Sequence, residues 1–209
     1  MTTYTRAAGT PLTERQEARR RRILRAATRL AAQGGYDAVQ MREVAESSEV
    51  ALGTLYRYFP SKVHLLVATM YDQLEQLGNQ LRRKPQQGMT PRERVVDTLL
   101  RAFRGMQREP QLTEAMMRAL QFADRSVSAE VDGVSRITTQ MIVTAIHGDT
   151  SVRPSTEELA VIRVITHTWH SSLISWLNGR ASIGQVRVDI ETVARLVPEP
   201  DGADAAARA

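Results

Sequence analysis

Between Leu52 and Phe59 the chain reads Leu-Gly-Thr-Leu-Tyr-Arg-Tyr-Phe, and the spacing of the apolar residues decides which side chains remain for chemistry. On a helical wheel of about 100° per residue, Leu52, Leu55 and Phe59 fall together and form the face expected to be buried. Gly53, Thr54 and Arg57 then lie opposite, with Tyr56 and Tyr58 on the two flanks. That outward set suits a DNA groove. Arg57 can donate two parallel hydrogen bonds to a guanine edge, and Thr54 can offer its methyl to thymine or its hydroxyl to a phosphate. Gly53 lets the backbone come close, and the tyrosine hydroxyls can reach phosphates on either side. The competing reading is a solvated amphipathic helix. Two tyrosines, an arginine and no acid are an unusual surface for one.

Lys62 adds a second argument. It falls in the first turn of the helix that follows Pro60 and a capping Ser61, where a cation opposes the helix dipole. A phosphate bound there would reverse the sign, because helix N-termini attract anions. The alternative is a solvated lysine of little energetic consequence.

These residues need a scaffold, and the surrounding pattern supplies one. Thr13 with Gln16 reads as a capping box, and Ile23, Ala27, Leu30 and Ala31 form an apolar stripe that Gly34-Gly35 ends. Arg15, Arg19 and Arg22 share a face of that helix, with Arg20 and Arg21 beside them. A short helix over Met41–Ser48 buries Val44 and Ala45, and Ser47–Ala51 forms a turn around Val50. Leu52–Phe59 follows and ends at Pro60, because the residue before a proline avoids the α region. Three short helices, the last two joined by a tight turn, describe a helix-turn-helix head. A longer helix then runs to about Lys84.

The charge distribution agrees. Residues 1–84 hold 14 basic and 8 acidic side chains, net +6, whereas residues 85–209 hold 14 basic and 15 acidic, net −1. An anion-binding head on an uncharged body is the natural reading. With 42% apolar and 24% charged residues among 209, the chain has an ordinary globular balance and can bury a core. No apolar run approaches membrane-spanning length and no secretory signal is visible. The absence of cysteine excludes disulfides and fits a reducing interior. A cytoplasmic location without membrane association is expected.

Beyond Pro85-Gln86-Gln87-Gly88 the pattern stays helical: 91–108, Leu112–Asp124, Val127–His147, Thr156–Arg180 opened by Ser155 or Thr156, and Val186–Val197 ended by Pro198. No segment alternates as a strand would, so the fold class is all-α. LGTLYRYFPSK, preceded by GGYDAVQMREVA, resembles the DNA-binding head of the TetR family of one-component repressors over about residues 19–66. The resemblance implies a helical ligand-binding and dimerisation bundle behind the head. By it, Arg42, Thr54, Tyr56, Arg57, Tyr58 and Lys62 occupy positions that commonly touch DNA. Three residues depart from the pattern: Gln40 replaces a capping threonine, Glu49 the turn glycine and Ala51 a capping serine, each at about 1 kcal/mol of local order. The stretch QREPQLTEAMMRALQFAD is similar to the branch of the family that represses cholesterol and steroid catabolism, which implies a steroid-derived acyl-CoA as effector.

The expected organisation is therefore a disordered arm (1–12), a helix-turn-helix domain (13–60), a connecting helix (61–84), a ligand-binding and dimerisation domain (85–198) and a disordered tail (199–209). In the body, Met106, Met116, Met117, Leu120, Phe122 and Met141 form a Met-rich set suited either to a pocket for a bulky apolar ligand or to ordinary core filling. Met106, Met116, Leu120, Phe122, Met141 and Trp169 are the candidate pocket residues. Arg101, Arg104, Arg108 and Arg118 could meet CoA phosphates or simply be solvated. Val161, Ile165, Trp169 and Leu173 recur at fours on the long helix, with Ile162, Trp176 and Leu177 widening the stripe. So broad an apolar surface needs two sets of neighbours. Val161, Ile165, Trp169, Leu173 and Trp176 are the candidate homodimer interface, completed by Val188, Val193 and Leu196. The alternative is a helix buried within its own subunit. A dimer would place two heads on a pseudo-palindromic operator in double-stranded DNA.

Catalysis finds no support. His167 and His170 share a helical face, but no carboxylate follows at ligand spacing. Ser171 and Ser172 lie on a helix rather than a strand-to-helix elbow, and no glycine-rich phosphate loop occurs. No cofactor and no metal site are expected. The remaining alternatives are a repressor answering to a fatty acyl-CoA or another apolar molecule, and a helical adaptor that binds no DNA.

Overall fold

A computed structural model describes residues 13–82, 88–149 and 151–198. Among them every regular element is helical: α1 (Glu14–Ala38), α2 (Met41–Ser47), α3 (Leu52–Tyr58), α4 (Lys62–Arg82), α5 (Pro91–Arg108), α6 (Pro110–Gln121), α7 (Ser128–His147), α8 (Thr156–Leu177) and α9 (Ile183–Val193). Short 3-10 turns precede α7 and follow α9. The expected arm, the tail and the Pro85-Gln86-Gln87 break lie outside the described residues.

Side chains set most helix starts. The Thr13 hydroxyl accepts from the Gln16 N–H at 3.3 Å while the Gln16 side chain accepts from the Thr13 N–H at 2.9 Å, a closed capping box. Ser155 and Glu158 repeat the device at α8. The hydrogen bond from the Ser155 N–H holds the Glu158 carboxyl below its ordinary range against the effect of burial, and His147 nearby helps. Within α1 the backbone leaves helical geometry at Gly34 and Gly35, and Gly35 has φ 66°. The stop expected there is a break inside the element.

Several boundaries differ from the sequence reading: α6, α8 and α9 end three or four residues early, at Gln121, Leu177 and Val193, and two helices start earlier than read. Pro110 opens α6 as its first residue, where its missing N–H costs nothing, so α6 begins two residues before Leu112. The last helix opens at Ile183, because Ser182 caps it by accepting from the Gln185 N–H at 3.1 Å.

The chain forms two compact units. The first comprises the residues up to Glu75 together with Met106–Ser135, and the second Gln76–Gly105 together with the residues from Arg136 on. The first has a core around Ile23, Ala27, Val44, Leu55, Phe59 and Leu66. Its α6 packs along α1, although chain order groups α6 with the body. In the second, Val95, Phe103, Ile142, Ile165 and Leu173 are buried and α8 packs on α9. There the Phe103 ring meets Trp169 and Trp176 edge-on, at 6.3 and 5.2 Å between centroids.

Candidate nucleic-acid interface

The reading element is built from α2, the turn and α3. Neither helix has a side-chain cap: Gln40 turns its amide back to donate to the Asp37 carbonyl at 2.8 Å, and Ala51 has nothing to offer. The turn closes instead through the Ser48 hydroxyl, which donates to the Val44 carbonyl at 2.7 Å, and the Val50 N–H, which donates to the Ala45 carbonyl at 3.0 Å. Glu49 makes the turn at φ 54°. Among the described residues no other non-glycine has a positive φ. An L side chain pays about 1–2 kcal/mol there, and the exposed ion pair of Glu49 with Arg22 at 3.9 Å returns little. Glu49→Gly is therefore expected to stabilise the chain by about 1 kcal/mol, a rise of roughly 2–4 °C in melting temperature. Thermal unfolding followed by circular dichroism measures it; an unchanged or lower midpoint refutes strain at this turn.

On α3 the amphipathic division appears as read, with two shadings, at Leu52 and Thr54. Leu55 and Phe59 are buried and Leu52 is half-buried. Gly53, Tyr56 and Arg57 are exposed and Thr54 is half-buried. A Cβ placed on Gly53 would meet nothing within 4 Å, so that side of the helix is open. Arg57 donates to the Thr54 hydroxyl at 3.1 Å, which lays the guanidinium along the exposed face. Arg42 is exposed in the first turn of α2.

Two residues of the expected set are engaged inside the protein. The Tyr58 hydroxyl donates to the Gln16 carbonyl at 3.4 Å and so ties α3 to α1. Lys62 donates to the Tyr36 carbonyl at 3.1 Å, with its ammonium 4.4 Å from the centre of the Tyr36 ring. Partial burial lowers the Lys62 pKa; Asp37 opposes that shift and Arg118 adds to it. Lys62 reads first as a strut between α4 and the end of α1. Tyr36, Asp37 and Glu114 were not singled out from the sequence. The only hint was the Glu114–Arg118 spacing on one helical face.

The body residues are redistributed. Met106, Met116, Leu120 and Phe122 belong to the first unit, Met141 and Trp169 to the second. Met116 and Trp169 are buried, while Met106, Leu120 and Met141 are half-buried. Phe122 is 58% exposed with its ring edge-on to Tyr36 at 6.1 Å, so it is a surface residue rather than part of an interior wall. Arg118, considered for CoA phosphates, lies over Tyr36 at 4.7 Å and pairs with Asp37 at 3.5 Å and Glu114 at 3.8 Å.

The interface set needs a sharper correction. Ile165, Trp169 and Leu173 are at most 4% exposed in the single chain and have no surface to give a partner. Val161 and Trp176 are half-buried, and Val193 is buried. The stripe at fours is the side of α8 that faces its own core. The apolar residues that remain exposed are Leu159 and Val164 on α8, Ile183 and Val188 on α9, and Leu196. His167 is exposed, and burial with His167 nearby lowers the pKa of His170. Among the described residues no group of His, Cys, Asp or Glu could hold a metal, and no helix is long and apolar enough to cross a membrane.

Residues 23–69 match the family of bacterial regulatory proteins, tetR family, and residues 88–197 match the Tetracyclin repressor-like, C-terminal domain. The chain belongs to the TetR family. It is 46% identical to the HTH-type transcriptional repressor KstR of Rhodococcus jostii, over 87% of this chain and 84% of that one. Identity to KstR of Mycobacterium tuberculosis is 42%, over 88% and 82%. Among solved structures, a TetR transcriptional regulator from a Rhodococcus species is similar, with 38% identity and a TM-score of 0.82 over 88% of this chain and 97% of that one. FadR of Thermus thermophilus, a TetR-family repressor crystallised with lauroyl-CoA, shares the fold at 23% identity. Its TM-score is 0.68, over 88% of this chain and all of that one. As a TetR-family transcriptional repressor resembling KstR, the chain is a DNA-binding regulator with an effector domain and not an enzyme.

Proposed function

We propose that this repressor controls genes of lipid and steroid (cholesterol) catabolism, and that a steroid-derived acyl-CoA releases it from a palindromic operator bound by a homodimer. The observation that carries the reading is the identity to KstR over most of the chain, body as well as head. A generic likeness of the reading head would stop near residue 69. In the head, Arg42, Gly53, Thr54, Tyr56 and Arg57 face the groove. Tyr58 and Lys62 support them from beneath; Lys62 can still approach a phosphate with its remaining donors, whereas the Tyr58 hydroxyl has to release the Gln16 carbonyl to do so. The exposed apolar residues of α8 and α9, chiefly Val164 and Val188, take the place of Ile165, Trp169 and Leu173 in the proposed dimer contact.

The effector acts by linkage. It weakens DNA binding by the factor by which operator weakens effector binding. Passing from mostly bound to mostly released takes roughly 10²–10⁴ in differential affinity, about 3–5.5 kcal/mol. A steroid nucleus burying roughly 200–300 Å² of apolar surface supplies that gross energy at about 25 cal/mol per Å², and only the part differing between states counts. Calorimetric titration with a steroid acyl-CoA is expected to give weaker binding when the DNA site selected from a randomised pool is present. A fatty acyl-CoA run in parallel separates the two effector classes. Equal steroid acyl-CoA affinities with and without DNA remove it as inducer.

A further inference from the structure

The reading head is held from outside the helix-turn-helix by two side chains of α6. Gly35 turns the chain from α1 toward α2 at φ 66°, and the Tyr36 N–H that follows donates to the Glu114 carboxylate at 3.4 Å. A Cβ at Gly35 would stand 3.3 Å from the same carboxylate oxygen, so the approach is close. One turn further along α6, Arg118 pairs with Glu114 at 3.8 Å and with Asp37 at 3.5 Å. Its guanidinium lies 4.7 Å from the centre of the Tyr36 ring and 5.7 Å from that of Phe122. The Tyr36 carbonyl and ring also receive Lys62, the first residue of α4 after the Pro60-Ser61 link that leaves α3. The segment Gly35–Asp37 is thus gripped by α6 on its N–H and side chains and by α4 on its carbonyl.

We propose that Glu114 and Arg118 are positioning residues for operator binding. Without touching DNA, they fix the angle at which α1 hands the chain to α2, and through Tyr36 and Lys62 the angle at which α3 meets α4. The physical reason lies in the two ends of α2 and α3. Both lack side-chain caps, and Glu49 strains the turn between them, so local sequence leaves the reading element loosely defined. A charge-assisted grip from α6 supplies the missing definition. It also accounts for two cations, Lys62 and Arg118, gathered at one tyrosine: the ring face and the Asp37 carboxylate offset their repulsion. The inference rests on the repressor reading only in using DNA affinity as its measure.

The test compares the full-length protein with Arg118→Met, Arg118→Lys and Glu114→Gln, by fluorescence anisotropy on two duplexes. One carries the site that the wild type selects from a randomised pool, and the other has the same length and random sequence. Arg118→Met is expected to lower affinity for the selected site about tenfold, with the random duplex and the melting temperature nearly unchanged. Arg118→Lys keeps the charge but not the flat guanidinium, and is expected to lose less. The dependence of affinity on salt is expected to keep its wild-type slope, because no phosphate contact has been removed. A shallower slope, by about one unit, would mean that Arg118 itself binds a phosphate and would overturn the proposal. So would equal losses on both duplexes, or wild-type affinity in Arg118→Met and Glu114→Gln. Should the wild type select no site, the repressor reading fails first; the grip is then judged by amide exchange at Tyr36 and Asp37, which is expected to quicken in Arg118→Met and overturns the proposal if unchanged.

Discussion

In the proposed homodimer, Val188→Glu is expected to leave the chain folded and to shift it to the 23.3 kDa monomer, with affinity for a two-half-site operator falling roughly 10²–10⁴-fold. Val188 is 52% exposed on α9, and Val164 is similarly exposed on α8. A charge at either position costs nothing in the single chain and a great deal between two apolar faces. A head that binds alone loses the effective concentration supplied by its tethered partner, which is why the loss exceeds that of any single contact. Leu173→Glu and Trp169→Glu are expected to behave differently. Both positions are buried in the single chain, so an unpaired carboxylate there costs several kcal/mol and unfolds the protein before dimerisation can be assessed. Light scattering with circular dichroism distinguishes the two behaviours. A Val188→Glu protein that stays dimeric and binds its operator normally removes α9 from the interface.

Arg57→Ala is expected to cost about 1–3 kcal/mol of operator affinity and to relax the sequence preference, because the proposed bidentate contact to a base edge is lost. The exposed guanidinium, already steadied by the Thr54 hydroxyl at 3.1 Å, starts close to a reading conformation and gives up little freedom on binding. Lys62→Ala is expected to weaken every operator of a single-base-change set by a similar factor, leaving their order of preference intact. Its ammonium holds the Tyr36 carbonyl, and whatever phosphate contact its remaining donors make carries no sequence information. Binding to a set of operators with single base changes separates these outcomes. Parallel, sequence-blind losses for both variants would remove Arg57 as a base reader.

The residues that could be read from sequence are those whose role is local. Thr13 with Gln16, Ser155 with Glu158, the Gly34-Gly35 break and Pro60 declare themselves because caps and breakers act on their own helix. The outward face of α3 followed from three apolar residues and a helical period. The family likeness adds the expectation that Thr54, Tyr56 and Arg57 on that helix, with Arg42, Tyr58 and Lys62 around them, touch DNA. What stayed hidden depends on the neighbour. Periodicity marks Ile165, Trp169 and Leu173 as buried, but it cannot tell a subunit's own core from a second copy, and here the core takes them. Arg118 is one of many arginines until α6 is seen to lie along α1, a packing between residues some 80 positions apart. Phe122 scores as apolar in any pattern, yet it stands at the surface because Tyr36 offers it an edge there.

That long sequence separation has a consequence in time. The Tyr36 N–H waits for a carboxylate 78 residues later in the chain, and His64 is joined to the Ser126 carbonyl 62 residues on, at 3.1 Å. During synthesis the three head helices emerge well before these partners exist. At roughly 5–20 residues per second, the ribosome needs about 3–12 s to add the 60 residues between Glu75 and Ser135. Through that interval α1 exposes the apolar side that α6 later covers. A nascent head therefore cannot settle into its reading geometry until about four-fifths as much chain again has left the tunnel, and a fragment cut after Glu75 is born without its cover.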